Sequence, residues 1–412
     1  AKMTEAGLID QAIIHEIPLG GDVVLGDFDI EFVSLTHSIP EPNALRIKTP
    51  LGTIFHTGDW KLDPSPIVGE ATDAEKMKQV GDQGVLAIVC DSTNVFNKKA
   101  SGSEMEVRNS LEKILKNKAG AVFCTTFSSN VARVGTLAHV ATATGRHLCL
   151  VGRSLKRNVA AARKCGYLEN FPDMLTEEQA SHIPRQKILY VCTGCQGEAR
   201  AALMRIVQDN NRNVHLAKRD TVVFSSKIIP GNELTLARLH NLLIEKSVEV
   251  ITEKDAFVHV SGHPGQDELK QMYEWIRPEI VVPTHGERRH LLKQAEFAKE
   301  LGFKKTIVPK NGTVIKLAPE PSGIINEVPT GRLALDGHML ISDEDMAIVE
   351  RRRILFNGAI VIHAIMDERS TLLAPLEITC LGLPEDESGT LVDYIEDKIH
   401  QGLTLAAKKK MT

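Results

Sequence analysis

The sequence predicts an α/β protein, and three observations carry this expectation. Short apolar runs alternate with helical patterns from about residue 85 to about residue 250, a spacing typical of strand–helix units around a parallel sheet. Residues 23–57 instead alternate apolar and polar side chains, which indicates antiparallel strands. Turn and capping residues stand where these elements would change direction.

The first predicted strands read "VVLGDFDIEFVSLT", "ALRIKT" and "TIFHTGD", and the intervening "TPLG" predicts a hairpin between the last two. The run "VLAIVCDS" opens the second region. In the helix that follows it, Ser103 and Glu106 predict a capping box and Gly120 predicts a C-terminal cap. Further strand–helix pairs begin at "AVFCTTF", "HLCLVG", "KILYVCTG" and "TVVFSS".

Residues 256–317 predict a strand, a helix, the strand "IVVPTHG" and another helix, followed by a hairpin turned at Asn311-Gly312. The Pro/Gly-rich stretch "APEPSG", residues 318–323, is predicted to be a linker. A third segment with its own apolar runs follows it and ends in a Lys-rich tail.

The composition is that of an ordinary globular protein rather than of a specialised class. The chain has 412 residues, of which 42% are hydrophobic and 25% charged. Seven scattered cysteines favour a reducing cytoplasm over a disulfide framework, and no apolar run is long enough to predict a membrane span. The net charge of -4 does not indicate a strongly basic nucleic-acid binder, and 4% aromatic content argues against a broad stacking platform for single strands.

Metal-ligand side chains follow several predicted strands at the point where each strand ends. "SLTHSIPEP" offers His37, "FHTGDWK" offers Asp59, "HVSGHPG" offers His259 and His263, and "VVPTHGERRH" offers His285. Imidazole nitrogens and carboxylate oxygens are ligands that zinc accepts. Although a single such histidine would usually be an unremarkable loop residue, the recurrence at four strand ends predicts a metal site.

Nine motifs in order resemble one known family. "THSIPE", "FHTGDWK", "CDSTN", "TTFSSN", "VGRS", "TGCQGE", "PGNE", "VSGHPGQDEL" and "PTHGE" are similar to those of ribonuclease J, over residues 1 to about 320. The resemblance implies a metallo-β-lactamase αββα sandwich, here partial, with an inserted beta-CASP parallel α/β domain and a small C-terminal α+β segment. The implied domains are 1–85 with 256–318, then 86–255, then the start of a C-terminal domain at 325–412.

The resemblance also implies roles for residues at matching positions. His37, Asp59 and His285 would be metal ligands, Asp59 bridging two Zn²⁺ ions, with Mn²⁺ or Mg²⁺ as alternatives. Asp91 and His263 would be the catalytic proton donor and acceptor. The implied substrate-binding residues are Ser128, Ser129, Asn130, His259, Val260, Ser261, Gly262 and His263.

The implied activity is metal-dependent hydrolysis of RNA phosphodiesters, by 5′→3′ exonuclease and endonuclease action in RNA decay and maturation. Two ions held close together would supply hydroxide and positive charge to such a reaction. The implied substrate is single-stranded RNA with a 5′ monophosphate, and the implied assembly is a cytoplasmic homodimer or homotetramer with no membrane partner.

The sequence departs from the family in one respect. No histidine has the H-x-H-x-D-H spacing that precedes "THSIP" in the family and supplies most metal ligands. The chain also lacks an initial Met and opens within a helical pattern, so we expect its N-terminal part to be missing and its metal binding to be weak. Two alternatives stay open, a catalytically deficient RNA-binding or partner subunit, and a metallo-β-lactamase hydrolase acting on a small ester or thiolester.

Two weaker signals remain. Cys192 and Cys195 form a lone CxxC without a second pair nearby, so we expect them to be incidental. Arg153, Ser154 and Arg157 in "VGRSLKRN" open a helix after a strand, where RNA phosphates or simple capping and surface charge explain them equally well.

Overall fold

The computed structural model describes residues 2–368, 371–384 and 390–410, without the side chains of 2, 390 and 406–410. The chain divides into two units, Ala1–Glu327 and Val328–Thr412. The strands of the first unit are β1 (Asp22–Leu25), β2 (Phe28–Ser34), β3 (Asn43–Thr49), β4 (Gly52–His56), β5 (Ala87–Asp91), β6 (Val122–Thr125), β7 (His147–Val151), β8 (Met174–Leu175), β9 (Ile188–Cys192), β10 (Thr221–Phe224), β11 (Glu249–Ile251), β12 (Ile280–Thr284), β13 (Lys305–Thr306), β14 (Thr313–Lys316) and β15 (Gly323–Glu327). Its helices are α1 (Lys2–Glu5), α2 (Ala74–Asp82), α3 (Glu104–Lys116), α4 (Val131–Ala143), α5 (Arg153–Lys164), α6 (Glu177–Ser181), α7 (Ala202–Val207), α8 (Glu233–Glu245), α9 (Gln266–Ile276) and α10 (Arg288–Glu300).

The first sheet has seven strands in the order β1-β2-β3-β4-β5-β12-β13. Strands β1 to β4 are antiparallel neighbours, and the predicted "TPLG" hairpin is confirmed by the pairing of Thr49 with Gly52. Strands β4, β5, β12 and β13 are parallel. Because β4, β5 and β12 are parallel neighbours, their carboxyl ends share one edge of the sheet. Helices α2, α9 and α10 pack on this sheet around the fully buried Trp60.

The second sheet has six strands in the order β11-β10-β6-β9-β7-β8, all parallel, which confirms the predicted α/β pattern. Helices α3, α4 and α5 pack on one face of the sheet, while α7 and α8 pack on the other. The capping box of Ser103 and Glu106 at the start of α3 is confirmed.

Gly120 is not the cap that the sequence predicts, because α3 ends earlier with Asn117 as its C-cap. A side chain at Gly120 would place its Cβ 2.3 Å from the carbonyl oxygen of Arg219. Close backbone packing therefore explains this glycine.

Two pairings differ from the sequence expectations. The expected domain bounds place β5 in the inserted region, which begins at residue 86. In the structure β5 pairs with β4 and β12 in the first sheet. The second sheet therefore begins at Val122. A strand buried on both faces does not reveal which sheet it joins. The hairpin predicted at Asn311-Gly312 is also wrong, because β13 pairs with β12 and β14 pairs with β15 across residues 318–322.

The second unit is α+β, as expected. It contains β16 (Leu333–Asp336), β17 (Met339–Ser342), α11 (Met346–Asn357), β18 (Ala359–His363), β19 (Glu377–Leu381) and α12 (Thr390–Lys410). Its strands form two antiparallel pairs, β16 with β17 and β18 with β19. Among the described residues, no helix combines the length and apolar character needed to cross a bilayer.

Candidate metal centre

Parallel pairing in the first sheet brings three of the predicted site residues to one place. His56 of β4 is opposite Val89 of β5, and Asp91 of β5 is opposite Thr284 of β12. Asp91 is the last residue of β5, while Asp59 and His285 follow β4 and β12. The three side chains therefore lie close together, because the carboxyl ends of parallel strands meet at one sheet edge. The carboxylate Oδ1 of Asp59 lies 3.4 Å from Nε2 of His285.

The backbone around His285 is held by the loop that follows β5. Ser92 Oγ donates to the carbonyl of Thr284 at 2.8 Å, and Thr93 Oγ1 donates to the carbonyl of His285 at 2.7 Å. His285 has a φ of 52°, in the left-handed region that non-glycine residues rarely adopt. The two hydroxyl contacts stabilise that conformation and direct the imidazole toward Asp59.

His37 reaches the same place from the other side. It follows β2, where Thr36 forms an antiparallel bridge with Lys61. The Nδ1 atom of His37 lies 2.5 Å from the carbonyl oxygen of Gly262. Because a carbonyl can only accept, Nδ1 carries the proton and Nε2 stays available as a metal ligand.

Gly262 has a steric reason to be glycine. A Cβ there would lie 2.7 Å from Cε1 of His37 and 2.9 Å from its Nδ1. The loop Ser261–His263 can therefore reach the His37 ring only without a side chain at this position.

His263 is paired with a buried carboxylate. Its Nδ1 lies 2.6 Å from Oδ2 of Asp91, whose side chain is 0% exposed. Burial lowers the pKa of His263, but the hydrogen bond and negative charge of Asp91 outweigh burial, and the pKa lies above its usual value. The pair therefore favours a protonated imidazole with Nε2 as the remaining donor.

These side chains converge closely enough to hold a cation. Ligand atoms of His37, Asp59 and His263 lie within 4.8 Å of one another, as do those of Asp91, His263 and His285. The His263 ring centroid is 5.0 Å from that of His37 and 5.4 Å from that of His285. Mixed imidazole and carboxylate donors fit zinc, although each group supplies no more than three ligands from the described residues.

A buried ionic network lies beside His259 and joins α3, α4 and the end of β10. Arg133 of α4 binds Glu104 of α3 through Nε at 2.9 Å and Nη2 at 2.8 Å. Its Nη1 donates to Ser225 Oγ at 2.6 Å and to the carbonyl of Val258 at 3.1 Å. This network fixes the extended segment that leads into His259. The strand predicted to end in this loop is not formed, since β11 ends at Ile251 and the described residues 252–265, before α9, contain no strand.

Positive charge also surrounds His259. Burial, followed by the charges of Arg133, Lys227 and Lys61, lowers the pKa of His259 well below its usual value. His259 is therefore neutral near pH 7.

The remaining predicted substrate residues differ in accessibility. Ser128 is half-buried and Ser129 is exposed at the end of β6, while Asn130 is buried and uses its Oδ1 to cap α4 at the Arg133 amide, 2.9 Å away. Val260 is 4% exposed and packs in the core, so only its backbone is open to a ligand. Ser261 Oγ closes a local turn by accepting from the His263 amide at 3.0 Å.

Sequence reasoning missed Glu104, Arg133, Lys227, Ser92 and Thr93. No local pattern marks a salt bridge between two helices, so nothing in the sequence singled out Glu104 or Arg133. Ser92 and Thr93 stand beside Asp91 in "CDSTN", and their position after a strand end was the available signal.

Cys192 and Cys195 are both buried, in agreement with the incidental role expected for them. Burial raises the pKa of the Cys195 thiol to about 12. Neither thiol is thus poised to become a metal-binding thiolate.

Comparison with known proteins decides the family. Residues 119–243 match the family described as Ribonuclease J, beta-CASP domain, and residues 247–309 match the Zn-dependent metallo-hydrolase RNA specificity domain. Ribonuclease J of Sinorhizobium meliloti is 43% identical over 406 residues, which cover 97% of this chain and 72% of that protein. The chain belongs to the ribonuclease J family.

Other members of the ribonuclease J family agree. Ribonuclease J 1 of Streptococcus pyogenes serotype M3 is 33% identical, covering 99% of this chain and 74% of that protein. Ribonuclease J of Synechocystis is 35% identical over 93% of this chain, which spans 60% of that relative. The family is one of metal-dependent ribonucleases with an α/β metallo-β-lactamase-like fold, and its Zn-dependent domain supports a metal cofactor.

A crystal structure of a protein of unknown function from Enterococcus faecalis V583 is similar with a TM-score of 0.50 and 16% sequence identity. The likeness covers 72% of this chain and 66% of that one. At this identity it concerns the fold alone.

Proposed function

We propose that this chain hydrolyses RNA phosphodiester bonds at the centre formed by His37, Asp59, His285, Asp91 and His263. The observation that supports this most strongly is the meeting of ligand atoms from five separate segments within 4.8 Å in two groups. In this proposal His37, Asp59 and His285 hold two Zn²⁺ ions, with Mn²⁺ or Mg²⁺ as alternatives. When bound, such ions would generate hydroxide at neutral pH and stabilise charge on the phosphoryl oxygens.

The proposed roles of the other residues follow from their protonation. The buried Asp91 raises the pKa of His263, which favours the protonated imidazole as donor of a proton from Nε2 to the departing oxygen. Asp91 keeps this imidazole oriented, and its negative charge favours the return of a proton from water to Nε2 after the leaving oxygen has taken the first. His37, fixed through Nδ1 by Gly262, presents Nε2 to the cation.

The proposed direction of attack is 5′→3′, with endonuclease action in addition, in RNA decay and maturation. Ser128 and Ser129 at the end of β6, with Asn130, and the loop 259–263 would grip a 5′ monophosphate. Hydroxyl groups in these loops suit a phosphate, and the charge of Lys227 near His259 adds positive potential. A 5′ triphosphate would be too bulky and too highly charged for the same loop.

The proposed domain assignment is a metallo-β-lactamase region at 1–85 and 256–318, an inserted beta-CASP region from 86 to 255, and a C-terminal segment from 325. The pairing of β5 argues for moving the start of the insertion beyond Asp91. A cytoplasmic homodimer or homotetramer remains the proposed state.

The test is a cleavage assay on single-stranded RNA with zinc, comparing 5′-monophosphate and 5′-triphosphate ends. We expect mononucleotides released from the 5′ end of the monophosphate substrate, and much slower decay of the triphosphate. His147→Gln is the matched control, because His147 is exposed at the start of β7, in the other sheet. Equal decay rates of the two RNAs would exclude the proposed 5′ pocket. Full cleavage by the Asp91→Asn variant would exclude Asp91 and His263 as the catalytic pair.

A catalytically deficient RNA-binding or partner subunit is the second candidate. The observation favouring it is that the sequence has no H-x-H-x-D-H and that each ligand group among the described residues holds three side chains. This candidate predicts RNA binding without product at any zinc concentration. Zinc-dependent cleavage that His285→Ala abolishes would exclude it.

A further inference from the structure

Apart from the metal centre, a cavity of about 730 Å³ lies at the carboxyl edge of the six-stranded sheet. Its walls are the turn from β7 into α5 and the turn from β9 into α7. Four arginines line it, namely Arg153, Arg157, Arg200 and Arg205, against two carboxylates, Glu5 and Glu198. None of these six residues belongs to the metal centre.

The fold itself creates this crevice. Strands β7 and β9 are parallel neighbours, with Val151 opposite Cys192. From β7 the chain continues to α5, which packs on one face through Leu155, whereas from β9 it continues to α7, which packs on the other face through Leu203. The two connections diverge, and crevices at such switch points are where open α/β sheets bind ligands.

The charge of the crevice favours an anion. Arg157 is paired with Glu5 at 2.9 Å, and Glu198 accepts from the amide of Gln196 at 3.0 Å. Arg153, Arg200 and Arg205 are exposed. Guanidinium groups match phosphate oxygens in geometry as well as in charge.

A series of contacts leads from the crevice along the carboxyl edge of the six-stranded sheet toward His259. Asn158 of α5 donates from Nδ2 to the carbonyl of Ser128 at 2.7 Å, which joins α5 to the loop after β6. In the strand order β10-β6-β9-β7, three spacings of roughly 4.8 Å separate β7 from β10. Ser225, immediately after β10, is bonded to Val258 and lies beside His259.

We propose that the arginine crevice is a second phosphate-binding site, which holds the backbone of the RNA strand several nucleotides away from the metal centre. The proposal rests on the proposed RNA-hydrolysing function and specifies where the strand runs. It predicts that affinity depends on RNA length, because a dinucleotide bound at the metal centre does not reach the crevice.

The test measures binding of a dinucleotide and a decanucleotide, both single-stranded and 5′-monophosphorylated, to the full chain in the presence of a chelator that prevents cleavage. In the double variant Arg153→Ala/Arg205→Ala we expect the decanucleotide to bind ~10-fold more weakly, with the salt dependence of log K reduced by about 1.4 for two lost phosphate contacts. Dinucleotide binding should stay unchanged.

Arg163→Ala is the matched control, since Arg163 is exposed at the opposite end of the same helix. Unchanged decanucleotide binding by the double variant, or an equal loss in the control, would overturn the inference while leaving the proposed function intact. Failure of the unaltered chain to bind either oligonucleotide would refute the proposed function together with the inference.

Discussion

The two sides of the candidate metal centre differ in how the protein holds them. On the inner side, Asp91 is fully buried and the side chain of His263 is 23% exposed, and 2.6 Å separates their bonded atoms. On the outer side, the side chains of Asp59 and His285 are 44% and 52% exposed, and their nearest atoms are 3.4 Å apart. The inner pair is positioned by the fold, whereas the outer pair faces solvent.

This difference suggests a division of labour. A buried, hydrogen-bonded pair keeps its geometry without a ligand, which suits a group that must transfer a proton in a fixed direction. An exposed imidazole and carboxylate lose little hydration and can adjust to an incoming cation. We therefore expect inner-side changes to affect catalysis and folding, and outer-side changes to affect metal binding.

Breaking the inner pair should have the largest effect. Asp91→Asn keeps the shape of the side chain but removes the charge that raises the pKa of His263, so the rate of RNA cleavage should fall by roughly 10²–10⁴-fold. Single-turnover cleavage with saturating zinc measures this. A reduction by less than about threefold would show that His263 does not depend on Asp91.

Breaking the ionic network beside His259 should have the next largest effect, on the free energy of unfolding. Arg133→Met leaves Glu104 buried without its partner and should cost about 3–5 kcal/mol in urea denaturation. The double variant Arg133→Met/Glu104→Met removes both charges and should recover much of that loss. If the double variant were as unstable as the single one, packing rather than charge would explain the effect.

Displacing the remaining proposed ligand, His37, should have a smaller effect, confined to metal affinity. In Gly262→Ala the new Cβ would press on the His37 ring, and we expect zinc affinity to fall by about 10–100-fold in competition with a chromophoric chelator. Gly323→Ala is the control, because nothing lies within 4 Å of its Cβ position. Equal zinc affinity in the two variants would argue against a role for His37 in the cation site.

The sequence predicted the α/β class and named the residues that meet at the strand ends, because strand-end histidines and carboxylates leave a local signal. It could not assign β5 to a sheet, since a strand buried on both faces reads the same in either one. It also could not reveal Arg133 with Glu104, which lie 29 positions apart and meet only through the packing of α3 against α4. A salt bridge between residues far apart in the chain leaves no periodic pattern in the sequence, so it becomes visible only in the folded structure.

The most direct measurement is an anomalous difference map, recorded at the zinc edge, from a crystal of this chain grown with zinc. The account predicts a peak at ligand distance from Nε2 of His37, the carboxylate of Asp59 and Nε2 of His285. Zinc bound only at other residues, with these three side chains left in place and uncoordinated, would contradict it.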